Sequence, residues 1–365
     1  MKKLSTRLIS INIISQPSKR KRIELFYIIA PANVTTGGPE LLHQLVCELN
    51  QMGLDAVIAY DRRSKNNMEP SIPQQYKRYV SEFITADSIP DAKDSYVVIP
   101  ETRPFYVKQF KNATTIFWWL SVDFFKIQCD PKCKFKNQGI PQAIKALMLQ
   151  TKKRAFASIK KAPIHLYQSE YARQYAISHG IAPSALIKLS DYVNDDYRTG
   201  IDYLSFSNRK QNVLYNPKKG RCYTEQLIKL APNLHWIPLQ GYSNQQLVSL
   251  MKESMLYIDF GFHPGKDRLP REAAACGTCV ITGKQGAAAF ENDYPIPEWA
   301  SINQADVNPI EVVKTIQHVL NNYEQLIEEF SPYRSMIKGE KEAFKADLQT
   351  FVHSINGLEK NADVQ

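Results

Sequence analysis

The sequence predicts an α/β protein made of two doubly wound, mostly parallel sheets that face each other across a cleft. Three observations carry this. The chain has 365 residues, room for two domains at roughly 100–200 residues each. Short apolar runs alternate with stretches of helical periodicity through both halves, the βαβ order of a parallel sheet. In each half, glycine loops directly follow an apolar run, as strand-to-helix turns do. With 44% hydrophobic and 22% charged residues, the composition excludes a disordered, collagen-like or disulfide-stapled chain.

The first 22 residues, MKKLSTRLISINIISQPSKRKR, hold an apolar run of about eight residues between basic ends. That is shorter than a membrane span and lacks a small-residue cleavage pattern, so they read as a basic tail. IELFYIIA is the first strand, PANVTTGGPE a turn-rich loop, and LLHQLVCELNQMG a helix whose Leu41, Leu42, Leu45, Val46 and Leu49 follow helical spacing. Gly53 stops that helix and LDAVIAY begins the second strand. Residues 95–101 (SYVVIPE) and 114–125 (TTIFWWLSVDFF) are further buried strands, and residues 162–170 lead into a helix ending near Gly180. The polar stretch 191–211 has no periodicity and serves as an interdomain connection. Beyond it, strands at 212–216, 234–239, 255–260 and 278–282 alternate with helices around 225–230, 244–252 and 270–276. Residues 309–329 and 339–358 read as long amphipathic helices.

Six scattered cysteines suit free thiols in a reducing compartment. The pairs Cys129/Cys133 and Cys276/Cys279 lack a second Cys or His pair at zinc spacing. Three motifs carry polar groups where chemistry would need them. Gly37 and Gly38 precede a helix N-terminus, which suits either an anion or a tight turn. Lys218, Lys219 and Gly220 follow a strand, as donor-phosphate ligands or as solvated lysines. The densest segment is YIDFGFHPGKDRLPREAAACGTCVITGKQGAAAF, residues 257–290. It holds His263, Lys266, Asp267, Arg268, Arg271 and Glu272 before a strand and a second glycine loop, Gly283 to Gly286. It reads as a diphosphate and ribose site or as a structural salt-bridge cluster.

GGPELLHQLVCELNQMGLDAVIAY, IHLYQSEYARQYAISHGI, PKKG and REAAACGTCVIT together resemble the retaining, family-four-like bacterial glycosyltransferases of the GT-B fold (glycosyl transferases group 1). The likeness covers roughly residues 23–358. It implies two Rossmann-like domains, with C-terminal helices packing back on the first. The implied boundaries are a tail at 1–22, an acceptor-side domain at 23–205, a nucleotide-sugar domain at 206–335 and a returning helix and tail at 336–365. Lys219 matches the Lys that contacts the donor phosphates, and Glu272 the second Glu of Glu-x7-Glu, which contacts the ribose. Pro264 stands where the first Glu belongs, and Leu214 where an Arg is common.

The resemblance implies Asp123, His263 and Glu272 as catalytic candidates. It implies Lys218, Lys219, Gly220, Lys266, Arg268, Glu272, Gly283 and Gly286 as donor nucleotide and diphosphate ligands, and Gly37 and Gly38 as the acceptor-side loop. Fixed cations in a dry cleft would stabilise the leaving diphosphate. No Asp-x-Asp triplet is present for a divalent ion, so neither metal nor cofactor is expected; the nucleotide sugar is a co-substrate. The resemblance implies retaining, metal-independent transfer of a hexose-type sugar from a nucleotide-sugar donor to a glycan or lipid-linked acceptor in bacterial surface polysaccharide or lipopolysaccharide synthesis. The alternative is a catalytically inactive glycan- or nucleotide-binding scaffold of the same fold.

The formal charge of +10 (46 Lys+Arg, 36 Asp+Glu) is concentrated. Residues 1–22 hold seven Lys/Arg and no acid, and residues 126–161 hold ten against Asp130 alone. The remainder is net acidic. No nucleic-acid motif accompanies the basic segments, so no nucleic-acid partner is expected. PQAIKALMLQTKKRAFASIKK mixes Ile144, Leu147, Phe156 and Ile159 with six Lys/Arg, as an interfacial helix or a solvated basic face would. The expected location is cytoplasmic, peripheral on the inner face of the membrane through residues 1–22 and 126–161.

Overall fold

The computed structural model describes residues 25–61 and 69–362, with side chains as far as residue 355; the basic tail 1–22 lies outside them. One sheet comprises β1 (Leu25–Pro31), β2 (Asp55–Asp61), β3 (Phe83–Thr85), β4 (Ser95–Pro100), β5 (Thr114–Trp119), β6 (Ile164–Tyr167) and β7 (Leu186–Lys188). The other comprises β8 (Lys210–Tyr215), β9 (His235–Pro238), β10 (Ser254–Asp259), β11 (Cys279–Gly283) and β12 (Ser301–Ile302). The helices are α1 (Gly37–Gln51), α2 (Val122–Cys129), α3 (Pro131–Gln138), α4 (Ile140–Met148), α5 (Thr151–Ile159), α6 (Glu170–Ser178), α7 (Asp195–Arg198), α8 (Arg221–Leu230), α9 (Asn244–Glu253), α10 (Arg268–Ala275), α11 (Pro309–Asn321), α12 (Tyr323–Leu326) and α13 (Ser331–Ala362).

The first sheet runs β3-β2-β1-β4-β5-β6-β7 and the second β12-β11-β10-β8-β9. Their ladders are parallel, with Ile28 opposite both Ile58 and Val98, and Leu256 opposite both Cys279 and Val213. Strands of the first sheet are apolar on both faces because helices cover both. Phe26, Ile28 and Ala30 enter one core, while Tyr27 and Ile29 enter the other. This is why they read as continuous apolar runs instead of alternating ones. The paired tryptophans of β5 follow the same rule. Both are fully buried, and each indole N–H finds an acceptor, Leu189 O for Trp118 and His165 Nδ1 for Trp119, both at 3.2 Å.

Four boundaries differ from expectation. The strand expected over residues 114–125 ends at Trp119, because Ser121 Oγ accepts the Phe124 N–H and starts α2. The helix expected over 309–329 breaks into α11, α12 and a 3₁₀ turn. The helix expected from residue 339 begins at Ser331, and Gly339 lies inside it with open space where a Cβ would sit. The short strands β3, β7 and β12 carry too few residues for a periodic signal. Residues 141–161 form α4 and α5 instead of one interfacial helix, broken at Gln150, whose φ is +46°. Ile159 is buried in the core and Phe156 packs against it, leaving Ile144 and Leu147 exposed beside Ile140 and Met148.

Helix α13 belongs to both halves. Tyr333 and Ile337 pack in the core of the second sheet, whereas Phe344, Leu348, Phe351 and Ile355 pack in a core of the first. Burying each such side chain is worth roughly 1.5–3 kcal/mol. All six cysteines are free. Burial pushes the thiols of Cys129, Cys276 and Cys279 up to about 12, which leaves them inert.

Candidate functional site

Each sheet reverses its strand order once, between β1 and β4 in the first and between β8 and β10 in the second. Crevices at the carboxyl ends of such neighbours are where doubly wound sheets take ligands. Here the two crevices open into one cavity of about 610 Å³, lined by Pro31, Pro100 and Glu101 from the first and by Asn216 and Asp259 from the second. The domains touch beside it. The Val122 N–H donates to Pro264 O at 2.9 Å. Gly265 lies so close to Leu120 O that a Cβ would stand 2.4 Å away.

Helix N-termini face the same space. Thr36, Gly37 and Gly38 at the start of α1, and Asp267 and Arg268 at the start of α10, line the cavity. Neither helix has a side-chain cap, whereas Ser121, Ser169, Ser243 and Asn308 cap α2, α6, α9 and α11. The first N–H groups and positive dipole ends of α1 and α10 are therefore open to an anion.

The cations of the HPGKDRLPRE segment are ion-paired. Arg271 is fully buried and holds Glu340 (Nη1 to both oxygens, 2.9 Å) and Asp191 (2.6 Å), as well as the Lys266 carbonyl at 2.7 Å. Burial would lower its pKa, but Asp191 and Glu340 outweigh that and raise it well above the ordinary value. Lys266 lines the cavity, and its ammonium pairs with Glu340 and donates to Ser190 Oγ, both at 3.1 Å. Arg268 reaches across to Glu40 of α1, on which Arg78 and the Tyr79 hydroxyl also converge, and lies against Gly37. The cluster expected among Asp267, Arg268, Arg271 and Glu272 themselves does not form; the two arginines pair instead with Glu40, Asp191 and Glu340, far away in sequence.

Lys219 lines the cavity and meets Asp267 at 2.5 Å. Beneath it His263 is fully buried, Nδ1 3.2 Å from Asp267 and Nε2 3.3 Å from the Asp259 carbonyl. Burial would lower the imidazole's pKa, but Asp267 and Asp259 outweigh it and raise it. His263 is thus a buried strut under the loop and does not line the cavity. Ligand-type atoms of Asp259, His263 and Asp267 lie within 4.8 Å of one another, but the Lys219 ammonium already answers their charge.

The other expected residues scatter. Gly220, with φ +60°, lets the loop press on Phe260, whose carbonyl carbon would be 2.6 Å from a Cβ. Gly286 plays the same part against His263 O, and Gly283 lies beside Gln304. None of these three lines the cavity, nor does Lys218, which bonds Asn216 Oδ1 through its N–H at 3.0 Å. Glu272 is buried in α10 off the cavity wall, and burial raises it to about 7 although Arg268 and Arg271 pull it back. Asp123 sits in the first turn of α2, with Oδ1 held by Lys126 at 3.1 Å and Oδ2 buried without a partner; it too is absent from the lining.

The first-domain wall of the cavity holds residues that sequence reasoning missed. Glu101 ends the SYVVIPE run and is 3% exposed. It accepts the Leu120 N–H at 3.3 Å and no side chain of the described residues bonds it. Burial pushes it up to about 8, with Leu120's amide and Arg103 drawing it back only in part. Arg103 also lines the cavity but turns to Asp61, which additionally accepts the Tyr106 hydroxyl at 2.9 Å. The available signal was a glutamate at the end of an otherwise apolar central strand.

No protein-family model matches the sequence, and no curated protein is significantly similar to it. Solved structures of similar fold include Anabaena HepE in complex with UDP and glucose, TM-score 0.59 at 10% identity over 91% of this chain and 100% of that one. WaaG, a glycosyltransferase involved in lipopolysaccharide biosynthesis, aligns with TM-score 0.52 at 10% identity over 88% and 98% of the two chains. For S. aureus TarM, whose crystals hold UDP, the values are 0.52 and 14% over 73% of this chain; the chain spans 56% of TarM's length. Two parallel sheets set with their carboxyl ends to one cleft, and this set of structural neighbours, establish that the chain has the GT-B fold.

Proposed function

We propose that the protein is a glycosyltransferase that moves a hexose-type sugar from a nucleotide-sugar donor to a glycan or lipid-linked acceptor, without a metal. The observation that carries this is the shared cavity at both switch points, with the uncapped N-termini of α1 and α10 and Lys219 on its wall. As the sugar–phosphate bond breaks, charge grows on the diphosphate. Helix N-termini held in the fold, together with Lys219 at the cavity wall, stabilise that charge with little reorganisation. UDP in HepE and TarM supports a nucleoside diphosphate as the leaving group.

The test is thermal stability with UDP, GDP and ADP and their glucose conjugates. A ligand at 100 times its Kd adds about 2.7 kcal/mol to stability, and Lys219→Ala is expected to weaken the effective ligand by roughly tenfold or more. No shift with any of them sinks the proposal. A shift without transfer or hydrolysis supports the binding-scaffold alternative instead.

The lipid-linked acceptor and the role in surface polysaccharide or lipopolysaccharide synthesis rest on α3 and α4. Ile140, Ile144, Leu147 and Met148 are 52–78% exposed on α4, with Lys132, Lys134, Lys136 and Lys145 nearby in sequence. Apolar side chains among lysines suit an anionic bilayer, and α2, whose Phe124 and Gln128 line the cavity, leads directly to them. This supports a peripheral location on the inner face of the cytoplasmic membrane. No helix of the described residues is long and apolar enough to cross a membrane. Leu147→Ser with Met148→Ser is expected to cut binding to anionic vesicles several-fold with Tm unchanged. Equal sedimentation with neutral and anionic vesicles overturns the membrane part.

A further inference from the structure

The two walls of the cavity differ in kind. On the second-domain wall stand Lys219, Asp267 and Arg268 with the N-terminus of α10. On the facing wall, at the carboxyl end of β4, stands Glu101. Carboxylates of Asp191, Asp259 and Asp267 also line the cavity. Asp191 is tied to Arg271 at 2.6 Å, and Asp267 to Lys219 at 2.5 Å. Asp259 accepts the Tyr257 hydroxyl and the Gly261 N–H, both at 2.9 Å. Glu101 alone among these four has neither an ion pair nor a side-chain hydrogen bond within the described residues.

We infer that Glu101 is the general base of the transfer, taking the proton of the attacking hydroxyl from the side of the sugar opposite the diphosphate, so that the anomeric centre inverts. This rests on the glycosyltransferase reading above. In the step, the Glu101 carboxylate takes the hydroxyl proton while the acceptor oxygen forms its bond to the anomeric carbon. The bond from that carbon to the diphosphate oxygen breaks, and its electron pair leaves with the diphosphate toward Lys219 and the α10 N-terminus. The proton on Glu101 then passes to solvent. With the donor cations contributed by one domain and the base by the other, both to one cavity, the hydroxyl is activated from the side opposite the departing diphosphate. This sets the chain apart from the retaining group that its motifs resemble, and Pro264 in place of that group's first Glu agrees.

The surroundings of Glu101 make it a strong base. The Leu120 N–H, one residue past β5, is the one bond its carboxylate accepts, and the cation Arg103 is committed to Asp61 of β2. Glu40 of α1 is committed to Arg268, and the second-domain charges Lys219 and Asp267 to each other. Burial thus dominates and puts the carboxyl at about 8, close to the pH at which it would work. Asp191 and Asp267, both held below the usual carboxylate range by their cationic partners despite burial, bind protons too weakly for this role.

The experiment hydrolyses UDP-, GDP- and ADP-glucose, α-linked donors, with water in place of the acceptor. Proton NMR of freshly released glucose is expected to show the β-anomer first. Glu101→Gln is expected to lose roughly 10²–10⁴-fold in kcat, with KM and the UDP-induced thermal shift unchanged. The wild-type rate rises with pH to a plateau above about 8, and Glu101→Asp restores part of it. Glu101→Gln also stays folded, because the amide is isosteric with the buried carboxyl and keeps an oxygen for the Leu120 N–H. Release of α-glucose, or a Glu101→Gln enzyme as fast as wild type, overturns the inference and leaves the glycosyltransferase reading standing. A wild type that neither binds these ligands nor hydrolyses them overturns both.

Discussion

Arg271 and Glu272 are neighbours in one helix whose burial has opposite consequences. Arg271 is matched by Asp191 and Glu340, so its charge persists; removing it leaves two carboxylates stranded. Arg271→Ala is therefore expected to cost about 3–5 kcal/mol in denaturant unfolding. Glu272 has no side-chain partner among the described residues, and its folded pKa of about 7 exceeds the usual 4.5. The folded state then holds a proton that the unfolded chain has released, so stability falls as pH climbs from about 4.5 to about 7. Glu272→Gln is expected to nearly match wild type at pH 4.5 and below and to exceed it by about 3 kcal/mol above pH 7, read from denaturation curves across that range. A gap that does not grow with pH contradicts a raised pKa. Residue types alone showed that this segment was charged. Burial, which sets each group's state, depends on Asp191 and Glu340, distant in sequence.

At the scale of elements, glycine positions separate local from tertiary demands. Gly53 and Gly286 both have positive φ, +80° and +58°. A Cβ at Gly53 meets nothing within 4 Å, whereas at Gly286 it falls 2.0 Å from His263 O. Gly53→Ala is expected to cost only about 1 kcal/mol of backbone strain. Gly286→Ala pushes apart the loops that hold His263 and Asp267, and is expected to cost about 3 kcal/mol or more and to weaken donor binding. Denaturation and the UDP thermal shift check both. The stop at Gly53 was legible because a helix end needs only its own glycine. The end of β5 was not. FWWLSVDFF stays apolar through Phe125, and the Ser121 cap that turns it into α2 is one hydroxyl in an apolar run.

Across the whole molecule the halves are joined at several points. Asp293 of the second half accepts the N–H groups of Glu170 and Tyr171 at the start of α6, at 3.0 and 3.3 Å. Arg268 meets Glu40, Pro264 O takes the Val122 N–H, and α13 carries side chains into both cores. Phe344→Ala is expected to cost about 3–5 kcal/mol and to lower the unfolding of both halves together. Two separated calorimetric transitions would show that α13 does not couple them.

The sequence by itself determined the α/β class, the two-sheet order, the glycine loops at the strand ends and Lys219 at the cleft, because strand and helix periodicity and turn chemistry are local properties of the chain. It also located the basic helical segment, though not its division at Gln150. Tertiary structure decided which charges face the cavity. Lys266, Arg268 and Arg271 find Glu340, Glu40 and Asp191 only when strands from both halves converge. Asp123 turns to Lys126, and Glu101, one residue beyond the apolar run of β4, becomes a cavity-wall carboxyl with no ion pair among the described residues. A side chain's protonation and its freedom to act depend on burial and on partners that folding alone brings within reach.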